Sequence, residues 1–178
     1  AGLVLTILFS AVMLSGEKIA TAAGLGFAAQ VDPQTGGQTP VVSQTLYLFL
    51  TVLFLSVDGH LVAIATLMES YDILPIGASV APQVLIGAGI NAAGMMFVAA
   101  TIIMLPIAMV LLMINISIGI ITKSAPQLNL FSFGFPISLL AVFILLYFST
   151  AGFGSSMVQL IDDSLAVLQT MIMEMPGG

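Results

Sequence analysis

The sequence has no cysteine and no arginine, a single histidine, and only two cations, Lys18 and Lys123. Without cysteine there are no disulfides, thiolate zinc sites or thiol nucleophiles, and cysteine usage says nothing about the redox compartment. With two lysines against eight acids the net charge is −6, so no basic patch exists to neutralise phosphates, and nucleic acid is excluded as a natural partner. His60 is the only imidazole, which leaves a Ser-His-acid triad without alternatives. A metal site would have to recruit Glu17, Glu69 or Asp72 beside His60 with no recognisable ligand spacing, so neither a metal nor a cofactor is expected. "GAGINAAG", Gly87 to Gly94, superficially suggests a dinucleotide turn but lacks the third glycine at the right spacing and a preceding strand.

What remains is apolar. Hydrophobic residues make up 60% of the chain, charged residues 6%, and the mean hydropathy is +1.22, against about a quarter charged in soluble domains. This is the composition of a membrane protein. Ile73 to Thr122 and Ser124 to Ile161 hold no charge at all, and each stretch exceeds the roughly 20 residues that cross a hydrocarbon core. Long apolar runs without period-two alternation argue for helices over strands. The predicted fold class is all-α, made of membrane-type hydrophobic helical hairpins with Pro and Gly breaks in a single domain, 1–178. Prolines subdivide the runs, which places helices at about Gln83 to Leu105, Pro106 to Thr122, Ile137 to Thr150 and Ser164 to Met173. Ala1 to Leu14 reads as the remaining part of a longer helix, since a signal peptide would need basic flanks.

Small residues in these runs suggest close helix packing: Gly89, Ala93 and Phe97 at four-residue steps, and the pairs Ala20 with Gly24 and Ala22 with Gly26. Met95, Met96, Met104, Met109 and Met113 read as gap fillers between helices. Asn91 and Asn115 read as interhelical hydrogen-bonding groups. Asp162 and Asp163 ahead of Leu165, Leu168, Ile172 and Met175 predict an acidic-capped amphipathic helix over 162–175 that packs on a partner subunit.

Two polar interruptions stand out. "VDGH", Val57 to His60, would lie inside a helix about 40 Å long if Val42 to Met68 were continuous, and burying Asp58 in lipid costs about 2.5 to 3.5 kcal/mol on insertion scales. One reading makes Asp58 and His60 a proton relay in a proton-coupled small-solute transporter. The other makes Asp58, Gly59 and His60 a structural break, in which Gly59 interrupts the helix, Asp58 satisfies freed amides and His60 bonds a neighbouring helix. The structural reading is preferred, because residues two apart do not share a helical face and only one intramembrane acid is present.

The second interruption is "GLGFAAQVDPQTGGQTP", Gly24 to Pro40, a glycine-rich, proline-closed segment between apolar runs. By itself it reads as a solvent-facing connection. However, "SGEKIATAAGLGFAAQVDPQTGGQTPVV", "FLSVDGHLVAIATLMESYDILPIG" and "APQLNLFSFGFPISL" occur in order and closely resemble the FliR family of flagellar biosynthetic proteins, related to an export component of virulence type III secretion systems. The resemblance runs from Leu14 to the C-terminal helix. Full-length members carry additional N-terminal hydrophobic helices, a region this sequence is expected to lack.

The resemblance implies a non-catalytic subunit of an inner-membrane export gate in the flagellar basal body. It would assemble with FliP and FliQ, in association with FlhB and FlhA, and pass unfolded flagellar proteins. It also implies that the 24–40 segment projects into the channel as a plug, formed around Gly24, Gly26, Phe27, Gln30, Val31, Asp32 and Pro33. The residues are compatible with that role: the glycines permit turns, Phe27 is an apolar stopper, and Pro33 and Pro40 stiffen the ends. Irregular backbone at membrane depth is tolerated where it is buried in protein or lines a cavity. Related loops commonly carry a second aromatic where this one has Gln30, which makes the expected seal more polar.

Overall fold

The computed structural model describes residues 2–24, 41–73, 82–125 and 134–174. They form five α-helices in chain order: α1 (Gly2–Ala22), α2 (Val41–Ser56), α3 (Gly59–Ile73), α4 (Pro82–Ser124) and α5 (Phe135–Glu174). No strand occurs among the described residues, in line with the absence of alternation in the apolar runs. Hydroxyl side chains fit this apolar setting because many bond their own helix: Thr45 donates to the Val41 carbonyl, Thr66 to Val62, Thr101 to Phe97 and Thr170 to Ala166. Each hydroxyl that back-bonds in this way needs no water.

The core forms around α1. Its inward residues Val4, Leu8, Ala11, Val12, Ser15, Gly16 and Ile19 are buried, and α1 packs most extensively on α4 and α2, with α5 also against it. One hydrophobic cluster draws from all five helices, including Leu8, Val12 and Ile19 of α1, Leu46 and Leu50 of α2, Ala63 of α3, Ile107 and Leu111 of α4, and Met157 and Ile161 of α5. The α1–α2 crossing is close enough to exclude a side chain: a Cβ on Gly16 would sit 2.5 Å from the Ser43 Cα. Phe9 packs tilted against Tyr47 and edge-on against Phe54 at ring separations of 5.1 and 5.8 Å, which extends that contact along α2.

The two long helices differ from the expected segmentation. Pro106 does not divide the run into two helices; it lies inside α4. Its position explains the tolerance. Ile103, Ile107 and Leu111 form the buried stripe, while Pro106 and Ile102, whose carbonyl loses the proline's missing N–H, are exposed. Likewise α5 runs unbroken from Phe135 to Glu174, so Asp162 and Asp163 are mid-helix and do not cap a separate helix. Its last turns pack within the chain: Leu168 and Ile172 cover Val4 at the start of α1.

At about 1.5 Å per residue α4 is about 65 Å long and α5 about 60 Å, twice the roughly 30 Å of a hydrocarbon core. Three helices, α1, α4 and α5, are long and apolar enough to cross a membrane; α2 and α3 together could supply a fourth, broken span.

Candidate functional site

Gly24 ends α1 and opens the 24–40 segment. Its φ of 78° is left-handed, a conformation glycine adopts without the steric cost that a Cβ brings. The amides of Ala23 and Gly24 bond the carbonyls of Ile19 and Thr21 at 2.9 and 3.0 Å, closing the helix in the manner of a glycine C-cap. Here Gly24 acts as a helix stop, whereas the sequence pattern had paired it with Ala20 as a packing step. Of the other residues expected in the plug, Gly26, Phe27, Gln30, Val31, Asp32 and Pro33 lie outside the described residues.

The base of the segment is held at both ends. On the departing side the Asn115 side chain of α4 donates from Nδ2 to the Ala22 carbonyl at 2.9 Å, and the buried Ser138 of α5 donates from Oγ to Asn115 Oδ1 at 3.3 Å. On the returning side, Val41 begins α2 and Ser43 lies against Gly16. Asn115 is therefore an interhelical hydrogen-bonding residue, as its type suggested. Asn91 is exposed. The crossing at Gly16 and the part played by Ser138 escaped the sequence reading; the only signal was the small pair Ser15-Gly16 within an apolar helix.

At "VDGH" the chain bends by 66° between α2 and α3. The left-handed residue is Asp58, at φ 54°, and Gly59 is already helical. Aspartate is among the few non-glycine residues that visit this region readily. The Asp58 carbonyl accepts the amides of Leu61 and Val62 at 2.9 and 3.1 Å and so starts α3, while its carboxylate, on an exposed residue, accepts no hydrogen bond among the described residues. Gly59 is required for space, because a Cβ there would lie 2.7 Å from the Phe54 ring. Among the described residues His60 Nδ1 is buried with no partner, so the bond expected from His60 to a neighbouring helix is not formed there, and nothing links His60 to Asp58 as a relay would require.

An open cleft of about 290 Å³ separates α4 from α5, lined by Met95, Val98 and Ile102 on one side and by Ser156, Gln159 and Asp163 on the other. No group of three or more metal-ligating side chains occurs among the described residues.

The outer surfaces of α4 and α5 are apolar nearly all round. Ile90, Phe97, Ile102, Met109, Met113 and Ile120 of α4 and Leu140, Phe143, Tyr147 and Phe148 of α5 are exposed. Among the described residues Met109 and Met113 thus fill no gap, whereas Met96 and Met104 pack on the core. Nor do the glycines of α4 mediate packing here: among the described residues Gly87, Gly89 and Gly94 have nothing within 4 Å of where a Cβ would stand, whereas Ala92 and Ala100 are buried. Surfaces of this kind are covered by lipid or by other subunits.

Long apolar helices around a tightly crossed α1, with an inserted polar segment clamped at its base, define an all-α protein of the membrane-embedded class. The sequence matches the family described as Bacterial export proteins, family 1, over residues 1–164, and the chain belongs to that family. It is 38% identical over 138 residues to the flagellar biosynthetic protein FliR of Pectobacterium carotovorum subsp. carotovorum, covering 78% of this chain and 53% of the relative. The FliR of Escherichia coli K12 is 33% identical with the same coverage. The surface presentation of antigens protein SpaR of Shigella flexneri is 29% identical over 78% of this chain and 56% of its own length. The chain spans little more than half the length of these relatives.

Proposed function

We propose that this chain is a non-catalytic wall subunit of the flagellar type III protein export gate and that its 24–40 segment plugs the channel through which unfolded flagellar proteins leave. The observation that carries the reading is the membership of the export-protein family over residues 1–164. Identity to the flagellar relatives of Pectobacterium carotovorum and Escherichia coli, 38% and 33%, supports a flagellar system, while other flagellar relatives at 27% to 29% overlap the 29% of the surface-presentation relative.

Two physical features support the gate. The exposed apolar faces of α4 and α5 suit burial against the other subunits, here FliP and FliQ homologues with FlhB and FlhA, in the inner membrane of the basal body. The segment between Gly24 and Val41 has both ends on packed helices, and its length allows an excursion of roughly 25 Å out and back, enough to cross a lumen that passes an unfolded chain. Catalysis has no part in this reading, and among the described residues no assembled relay supports proton-coupled solute transport.

The test is deletion of residues 27–33 in the gate reconstituted with its partner subunits in planar bilayers. The expected result is a several-fold rise in resting ion conductance, with the subunits still co-purifying. An assembled gate that stays as tight as the parent after the deletion overturns the plug assignment.

A further inference from the structure

We propose that Asn115 is a positioning residue, a latch on α4 that fixes where the 24–40 segment leaves α1; its consequence for export rests on the plug reading above, but the latch itself does not. The last carbonyls of a helix have no intrahelical donor. Those of Ile19 and Thr21 are satisfied by the Ala23 and Gly24 amides, and that of Ala22 is satisfied from outside, by Asn115 Nδ2 from a residue 93 positions away. The bond falls two residues before Gly24, where φ turns positive and the segment begins.

The chemistry requires an amide. Asn115 accepts a hydrogen bond from Ser138 Oγ while donating one to the Ala22 carbonyl, and Asn and Gln are the neutral side chains that present a carbonyl acceptor and an NH₂ donor together. The hydroxyl of Ser138, itself 4% exposed, holds the amide with its NH₂ toward α1. Three helices, α5, α4 and α1, are thereby joined by two hydrogen bonds at the root of the segment.

The two ends of the segment are held by different means. At the return, Ser43 lies against Gly16 with no room for a Cβ, and freeing that end means separating α1 from α2. At the departure the external tie is a pair of hydrogen bonds from an exposed asparagine, which can open while Ile107, Leu111 and the rest of the core stay packed. The tie therefore joins the end of α1 to α4, the helix whose outward residues Met109, Met113 and Ile116 are exposed.

The absence of natural cysteine makes the test direct. A nitroxide is attached at Ala28→Cys, just past the departure point, or at Thr170→Cys on the exposed side of α5 as a control, in the chain assembled with its partner subunits. Asn115→Leu, which removes donor and acceptor, and Asn115→Asp, which removes the donor only, are each expected to raise the mobile spectral fraction at position 28 about three- to fivefold, the weight of one lost hydrogen bond. Neither should alter the signal at position 170. Ser138→Ala is expected to have a smaller effect, and Asn115→Gln to restore at least part of the parent spectrum. An unchanged spectrum at position 28, or equal changes at 28 and 170, overturns the latch; if Asn115→Leu fails to assemble, Asn115→Asp and Ser138→Ala decide in the same way. Because the spectrum reads the tether and not the seal, it stands apart from the deletion test: a tight gate after deletion of 27–33 ends the plug reading and leaves the latch standing or falling on position 28 alone.

Discussion

Apart from Gly2 at the first residue of α1, which has open space around it, the glycines of the first three helices and those of the last two sit in opposite surroundings among the described residues. Gly16 in α1 and Gly59 in α3 are crowded, with neighbouring atoms 2.5 and 2.7 Å from where a Cβ would be, whereas Gly87, Gly89, Gly94 and Gly119 in α4 and Gly152 and Gly154 in α5 have nothing within 4 Å. The apolar composition of the two regions is alike; what differs is what lies against it. At Gly16 and Gly59 the chain supplies its own close neighbours, and glycine marks a backbone crossing or a ring against a helix start. In α4 and α5 the chain covers one stripe and leaves the rest bare, so that small and large apolar residues alike face outward. The first region holds the close backbone crossings, although Leu48, Val52, Ile64 and Met68 of α2 and α3 are also exposed, and the second is a wall with one side built.

The sharpest way to break this contrast is Gly16→Val. The obstructing atoms belong to the Ser43 backbone, which cannot swing away as a side chain can. Overpacking ordinarily costs about 1–3 kcal/mol, and with backbone on the far side the loss is expected to exceed about 3 kcal/mol, read as failure of α1 and α2 to pair: a collapse of the thermal transition in detergent and loss of subunit co-purification. A variant that melts with the parent removes the crossing as the organising contact.

Gly59→Ala comes next. Here the obstacle is the Phe54 ring, at 2.7 Å, with the Phe54 carbonyl at 3.1 Å. A ring can rotate, so the expected loss is smaller, about 1–2 kcal/mol, and Phe54→Leu in the same chain should recover part of it. A double variant no better than the single one would mean that the carbonyl, not the ring, sets the limit.

How much of this was legible beforehand follows the same division. Helix type and the apolar faces of α4 and α5 could be read from charge-free runs, because hydrophobicity is a property of each residue taken singly. The break at "VDGH" was also visible, but its agent was misplaced: the sequence offered Gly59, and the left-handed residue is Asp58, since Gly59 is needed for a ring that arrives from four residues before the turn. Pro106 pointed to a break that does not occur, because its effect depends on which face of α4 it occupies, and that face is set by α1. Asn115 could be recognised as a hydrogen-bonding group but not as the cap of α1, since its partner is a backbone carbonyl that carries no sequence signature. Asp162 and Asp163 looked like a helix start only because nothing local reveals that α5 continues through them.

The smallest expected effect is the most discriminating about what finishes the wall. In the chain alone, Gly89→Ala and Gly152→Ala meet open space, and each should stabilise its helix by about 0.5–1 kcal/mol through reduced freedom of the unfolded chain. Lipid covering preserves that gain, because hydrocarbon chains yield to a methyl group. A neighbouring subunit whose backbone approaches the glycine reverses it, as the Ser43 backbone does at Gly16. Comparing the melting shift of each variant in the isolated chain with its shift in the assembled gate therefore sorts the outer face position by position: a gain in both marks a lipid-facing site, and a gain that turns into a loss on assembly marks a subunit contact. A loss already present in the isolated chain would contradict the open surroundings on which the contrast between the two regions rests.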